Sequence, residues 1–328
     1  MSEDIWTVKR VLEWIEGYLS KRDDESPRVS AQWLVSEALG ISRMQLFVDA
    51  ERPLTEEERA VLRDWTRRRG AGEPLQYITG EVAFRHITLK VAPGVLIPRP
   101  ETEVLVSEAL ALLPAAPKPQ DELDDQIIRQ FVELGGTVAD SDGEEPDGAG
   151  EEPKRELLVA DICTGSGCIA CSMAYEHPQV RVIATDVSPQ AIELAARNVG
   201  DLGLEERIEL FECDLGSAVD KTLLGTFDLV VSNPPYIPTA ELEKISREVS
   251  EHEPVLALDG GDDGLDVFRR LLEWTMLALK PGGAFAFELH ETCLEAAMKE
   301  ATAAGFEEVR IAHDLANRPR VLVGRTVE

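Results

Sequence analysis

The sequence predicts an α/β protein with a seven-stranded mixed sheet, helices on both faces, and a small all-helical domain ahead of it. Three observations carry this. Residues 1–80 of the 328-residue chain show only helical periodicity. From residue 157 on, apolar strand runs alternate with amphipathic helices, the pattern of a mainly parallel sheet. The last two strand runs follow each other with no helix between them, so they close the sheet as an antiparallel hairpin.

In the helical part, Val8, Val11, Leu12, Ile15 and Leu19 recur on one helical face, and Trp33, Leu34 and Ala38 mark another. In PLTEEERAVLRDWTRRRG, Thr55 is placed as N-cap and Glu58 completes a capping box, while Gly70 ends the helix. Four or five helices are expected over residues 1–80. The run Arg67, Arg68, Arg69 reads as a solvated helix end. Residues 81–98, EVAFRHITLKVAPGVLIP, alternate and contain a turn-like Pro-Gly, which predicts a short hairpin linking two domains.

The second domain, residues 99–328, opens with the helix RPETEVLVSEALALL. Residues 114–156 differ in kind. They are rich in Pro, Gly, Asp and Glu, and DSDGEEPDGAGEEP is too polar to bury a core. The stretch reads as a disordered acidic insertion, with one short amphipathic helix in DDQIIRQFVELGG. The strands that follow are ELLVADI, VRVIATD, RIELFEC, FDLVVSN and GGAFAFEL, then EEVRIAHD and RPRVLVGR. Helices lie between the first six, except between RIELFEC and FDLVVSN. Ligands in such sheets sit beyond the carboxyl ends of the strands.

Composition narrows the function. The formal net charge of -29 argues against sequence-independent binding to nucleic acid, which needs Lys and Arg against phosphates. No apolar run reaches the roughly 20 residues of a membrane span. The N-terminal stretch lacks a signal peptide's basic and apolar regions. Five cysteines do not make a disulfide framework. A cytoplasmic protein is expected. Cys168 and Cys171 form a C-x-x-C without a histidine cluster, so no metal is expected. His86, His177, His252, His290 and His313 are scattered and receive no role.

The motifs lie at four strand ends. The first strand runs through Asp161 into DICTGSGCIA, where Gly165 and Gly167 allow a tight turn and Ala170 is small enough for close packing. The second ends at Asp186, placed to accept from ribose hydroxyls. This much suits a dinucleotide as well as a nucleoside. Asp161, ahead of the loop, can meet an ammonium group. Asp214 can accept from an adenine amino group while Leu215 packs on the ring. Amino acid, ribose and adenine together specify S-adenosylmethionine (SAM).

The fourth strand ends in Asn233-Pro234-Pro235-Tyr236, a turn stiffened by two prolines. An asparagine carbonyl and a backbone carbonyl can accept both N–H bonds of a planar amide. Tyr236 can pack on its plane. The site then aims a nitrogen at the methyl group by geometry rather than by a general base. Glu288 either closes the pocket or caps a turn.

SNPPYIP, DICTGSGCIA, EPLQYITGEVAF, LIPRPETEVLV and DLANRPRVLVGR together resemble the HemK/PrmC family of protein-(glutamine-N5) methyltransferases, over nearly the whole chain. The resemblance implies a Rossmann-like class I SAM methyltransferase fold. It implies methylation of the glutamine in the Gly-Gly-Gln motif of class 1 peptide-chain release factors. It places Asp161, Cys163, Thr164, Gly165, Ser166, Gly167, Asp186, Asp214, Leu215 and Asn233 at the cofactor. Asn233, Pro234, Pro235 and Tyr236 receive the glutamine, and Arg99, Pro100, Glu101 and Thr102 line the pocket opposite. The helical domain docks the protein substrate. Cys163, His290, Leu294 and Asn317 depart from the family pattern, the last at a usual glycine. Competing readings are glutamine methylation of a ribosomal protein, adenine-amino methylation of nucleic acid, and a silent SAM-binding module. The charge disfavours the second, and the intact NPPY disfavours the third.

Overall fold

The computed structural model describes residues 5–22, 24–116 and 155–328. Most of the acidic stretch, with its expected short helix, lies outside them.

Five helices make the first domain: α1 (Val8–Leu19), α2 (Pro27–Leu39), α3 (Gln45–Val48), α4 (Glu56–Arg69) and α5 (Leu75–Thr79). Val8, Val11, Ile15 and Leu19 bury the predicted face of α1 against Leu34, Val35, Leu46 and Leu62. The capping box is formed. Glu58 N donates to Thr55 Oγ1 at 3.2 Å and Thr55 N donates to Glu58 Oε2 at 2.8 Å. The α4 helix stops at Gly70, but with a right-handed φ of -67°.

The arginine run departs from a solvated helix end. Arg67 is exposed, on Asp64. Arg69, however, is largely covered, with Nε 2.6 Å from Asp24 Oδ2 and Nη1 2.9 Å from Glu248 Oε2. Three consecutive residues on a helix point about 100° apart, so one of the three must face inward.

The hairpin β1 (Glu81–Phe84) and β2 (Ile87–Lys90) is present, but it turns at Arg85 and His86, ahead of Pro93-Gly94. Arg85 adopts φ 50° and donates from Nε and Nη2 to Glu176 at 2.6 and 2.7 Å, which pins the turn.

The main sheet contains β3 (Leu157–Ile162), β4 (Val180–Asp186), β5 (Ile208–Glu212), β6 (Phe227–Ser232), β7 (Leu279–Glu288), β8 (Glu307–His313) and β9 (Pro319–Arg325). Its order is β5-β4-β3-β6-β7-β9-β8. The first five strands pair in parallel, and β9 runs antiparallel to both β7 and β8. This is the predicted mixed sheet. One face packs on α6 (Thr102–Leu112) and α7 (Cys168–Glu176), with α8 (Pro189–Asp201) beside α7. The other packs on α10 (Asp266–Ala278) and α11 (Leu294–Ala303). A short α9 (Arg247–His252) follows β6. The chain crosses from one side of β3 to the other between β5 and β6, creating a crevice at the strands' carboxyl ends. Among the described residues no helix is long and apolar enough to cross a membrane.

Candidate active site

A cavity, open to solvent on one side, lies in this crevice. Its floor is the loop Cys163–Ser166 together with Asp186. One wall is Val95, Leu96 and Ile97, beyond the hairpin; the outer wall is Pro254, Leu256 and Ala257. Arg99, Thr102, Asn233 and Pro235 line the remaining side.

The loop is held by its own backbone and by two carboxylates. Thr164 N donates to Thr185 O at 2.9 Å, tying the loop to β4. Gly165 N donates to Asp186 Oδ2 and Ser188 N to Asp186 Oδ1, each at 2.9 Å. Each oxygen of Asp186 therefore keeps a lone pair for a ligand. Burial pushes this carboxyl up in pKa, against those N–H bonds. Cys163 adopts φ 63°. That left-handed backbone costs a residue with a Cβ about 1–2 kcal/mol. Asn317 is also left-handed, at φ 60°, which asparagine tolerates.

Several expected residues stand away from the cavity. Asp161 is fully buried behind the loop, where Oδ2 accepts from Thr164 Oγ1 at 2.6 Å and from Ala170 N at 3.1 Å. It joins the loop to the start of α7 and does not line the cavity. Burial raises its pKa to about 7, and its Oδ1 has no hydrogen-bond partner among the described residues. Gly167 serves packing: a Cβ there would sit 3.2 Å from Ala195 Cβ on α8. Asp214 and Leu215, expected at an adenine ring, also lie off the cavity. The β5 strand stops at Glu212, Asp214 pairs with Arg270 of α10 at 2.5 Å, and Leu215 packs into the core cluster under α10. Val187 and Leu256 supply apolar lining instead. Pro100, Glu101, Pro234 and Tyr236 are not among the residues that line the cavity.

The NPPY turn is fixed from three directions. Ser232 Oγ donates to Ile162 O at 2.5 Å, which locks the ends of β6 and β3 together. Asn233 Nδ2 donates to Thr102 Oγ1 at 3.2 Å, and Tyr236 Oη donates to Glu288 Oε1 at 3.2 Å. Behind the turn, Ile237 N donates to Leu258 O and Gly260 N to Ile237 O, both at 2.8 Å. A Cβ on Gly260 would come 2.7 Å from Tyr236 Cα, so the LDGGDDG segment is glycine-rich because it lies directly against the turn.

Two contributors, Asn198 and Glu253, escape a reading of motifs. Asn198 of α8 is buried; it accepts from Lys90 N at 2.7 Å and donates to Lys90 O at 3.1 Å and Ser166 O at 2.8 Å. It binds the glycine loop to the hairpin. Glu253, also buried, accepts from Arg99 Nη2 at 2.5 Å and anchors the outer wall across the cavity. Glu288 is buried beside Tyr236 at the end of β7. The available signal was a polar residue in a helix face of small apolar ones for Asn198, and a carboxylate before Pro254 for Glu253.

Comparisons with known proteins agree with this architecture. The family model for the PrmC N-terminal domain matches residues 10–80, and that for the methyltransferase small domain matches residues 151–261. The release factor glutamine methyltransferase of Geobacter sulfurreducens is 38% identical over 322 residues, 98% of each chain. Its counterpart in Rhodopirellula baltica is 35% identical, over 97% of this chain and 95% of its own. That of Koribacter versatilis is 35% identical, over 97% and 98%. With the class I sheet order and this identity over almost its whole length, the chain belongs to the release factor glutamine methyltransferase family of SAM-dependent protein-glutamine methyltransferases.

Proposed function

We propose that this protein transfers a methyl group from SAM to the side-chain amide nitrogen of the glutamine in the Gly-Gly-Gln motif of a class 1 peptide-chain release factor. The observation that carries it is the position of Asn233: on the cavity wall, with Nδ2 turned to Thr102 and Oδ1 left to accept.

The cavity suits the cofactor. Asp186 offers two oxygens to a diol, the loop Cys163–Ser166 brings backbone to the floor, and Val187 and Leu256 give apolar lining. Bound there, SAM supplies an electrophilic methyl group. The protein's part is to hold the nucleophile. Asn233 Oδ1 and the Pro234 carbonyl accept the two N–H bonds of the substrate amide, and Pro235 limits the turn's freedom. A carboxylate has no N–H to give and would meet two oxygens, so glutamate is rejected. The amide nitrogen so held would take up the methyl group in exchange for one proton, which would pass to water at the open side of the cavity. Positioning dominates the rate.

Residues 1–80 dock the protein substrate in this reading. Met44, Phe47 and Val48, in and next to α3, are 78%, 60% and 79% exposed, an apolar patch suited to a folded partner. The hairpin of residues 81–98 links this domain to the methyltransferase domain of residues 99–328.

The test is incubation with labelled SAM and an intact class 1 release factor, with the modified residue located by mass spectrometry. Ribosomal protein and DNA serve as competitors. Label is expected on the loop glutamine and is expected to vanish when that glutamine is changed to glutamate. Label on DNA, or on a ribosomal protein in preference, overturns the assignment.

A further inference from the structure

Of the described residues that line the cavity, Arg99 is the one base and Asp186 the one acid. The Arg99 guanidinium is held at one corner: Nη2 donates to Glu253 Oε1 at 2.5 Å, and Glu253 is 5% exposed. A guanidinium carries five N–H donors in a planar fork. Glu253 is its one hydrogen-bond partner among the described residues, so Nε and Nη1 keep theirs.

SAM carries one anionic group, the carboxylate of its methionine portion. The glycine loop has few donors left for it. Thr164 N donates to Thr185 O, Gly165 N to Asp186 Oδ2 and Gly167 N to Thr164 O, each at 2.9 Å. Asp161, expected at the neighbouring ammonium group, is buried behind the loop. The amino-acid end of the cofactor therefore needs another wall. Three groups leave the sulfonium: the methyl, the ribose carbon and the methionine chain. Asp186 on the floor takes the ribose, and the methyl must face Asn233. Two walls, Val95 with Leu96 and Ile97, and Pro254 with Leu256 and Ala257, carry no side-chain donor. The side that bears Asn233 also bears Arg99. A carboxylate taken out of water needs a cation and hydrogen bonds, and Arg99 offers both.

We propose that Arg99 receives the carboxylate of the cofactor's methionine portion, and that Glu253 is a positioning residue that holds the guanidinium at the cavity. This assignment rests on the reading of the cavity as the SAM site. Glu253 touches neither cofactor nor substrate. It spends one corner of the fork and leaves the other donors to the ligand. The site then selects for a cofactor that keeps its carboxylate, because decarboxylated SAM brings only an ammonium group to a guanidinium, like charge against like.

Calorimetry on the full chain tests this with three ligands: SAM, S-adenosylhomocysteine, which keeps the carboxylate but lacks the methyl group and its charge, and decarboxylated SAM. Wild type, Arg99→Met, Glu253→Gln and Asp186→Ala are compared. Wild type is expected to bind decarboxylated SAM about 10-fold or more weakly than SAM. Arg99→Met is expected to lose about 10-fold on SAM and on S-adenosylhomocysteine but nothing on decarboxylated SAM, so that the gap closes. Glu253→Gln is expected to narrow the same gap by about 3-fold, since a neutral acceptor holds the guanidinium less firmly. A loss shared equally by all three ligands in Arg99→Met marks a purely structural residue and overturns the proposal. A wild type without the gap overturns it too. A full gap in Glu253→Gln strikes out the positioning role of Glu253. Weakened SAM binding in Asp186→Ala beside wild-type binding of all three ligands in Arg99→Met overturns the assignment of Arg99 alone. Wild-type SAM binding in both variants overturns the reading of the cavity, and this assignment with it.

Discussion

Arg69, the last residue of α4, reaches out of the helical domain and pairs with Glu248 of α9 at 2.9 Å. The same guanidinium holds Asp24, whose side chain is only 3% exposed, whereas that of Glu248 is 39% exposed. The segment bearing Glu248 continues into Pro254, Leu256 and Ala257, so the outer wall of the cavity is tied to the helical domain.

Arg69→Met is expected to destabilise the protein by about 3–5 kcal/mol, because it leaves the Asp24 carboxylate buried without its cation. Glu248→Gln is expected to cost under about 1 kcal/mol, since that partner is screened by water. Urea denaturation of both variants checks the order. Equal losses would show that Asp24 does not depend on this arginine.

Asp186→Ala is expected to weaken SAM binding by about 10-fold or more, since bonds to a charged acceptor are worth about 1.5–3 kcal/mol. Calorimetry reads this directly. An unchanged affinity would remove Asp186 from the cofactor site.

Asp161→Asn tests the buried carboxyl behind the glycine loop. Its folded-state pKa is raised from 3.8 to about 7. Between these values the folded protein holds a proton that the unfolded chain has released, so rising pH costs stability. Asparagine keeps an acceptor for Thr164 and Ala170 but has no charge to bury. The variant is expected to gain on wild type progressively from about pH 4 to pH 7. Parallel pH–stability curves for the two proteins would contradict the raised pKa.

Asn198→Ala is expected to cost about 2–3 kcal/mol, because it strands both backbone groups of Lys90 and the Ser166 carbonyl. SAM affinity should fall with it, as Ser166 lies in the loop on the cavity floor. Thermal melts together with calorimetry separate the two effects. Lost stability at full affinity would confine Asn198 to a structural role.

Gly260→Ala drives a methyl group against the backbone of Tyr236 and the Gly264 carbonyl, 2.8 Å away. It is expected to lower kcat well beyond any change in SAM affinity, since the NPPY turn moves and the glycine loop does not. Steady-state kinetics and calorimetry on one preparation decide this. Wild-type kcat would show that the turn tolerates displacement.

The sheet was legible because each strand carries its own apolar run and each helix its own period. Asp186 and Asn233 were legible because strand ends in this topology face the crevice. Asp161, Asp214 and Leu215 stand off the cavity lining, because sequence gives the order of residues at a strand end but not which side chain turns inward. Asp161 is turned in by Thr164 and Ala170, and Asp214 is drawn away by Arg270. The Pro-Gly of the hairpin misled for a related reason: the turn was set by the distant Glu176 holding Arg85. Asn198 and Glu253 act through partners remote in sequence, Lys90 and Arg99, and no local pattern announces such pairs.

His177 Nε2 lies 3.0 Å from the Pro114 carbonyl, and Gln179 Nε2 donates to the Arg155 carbonyl at 3.4 Å. The described chain thus leaves and re-enters at neighbouring points, at the amino end of β3, while the chemistry lies at the carboxyl end. Both points of attachment of the acidic stretch are therefore at the back of the enzyme. This seam is a natural graft point: a fluorescent domain or an affinity handle spliced there would join the enzyme at the end opposite its cavity. The same geometry lets evolution lengthen or shorten the chain at this seam without renegotiating the catalytic end.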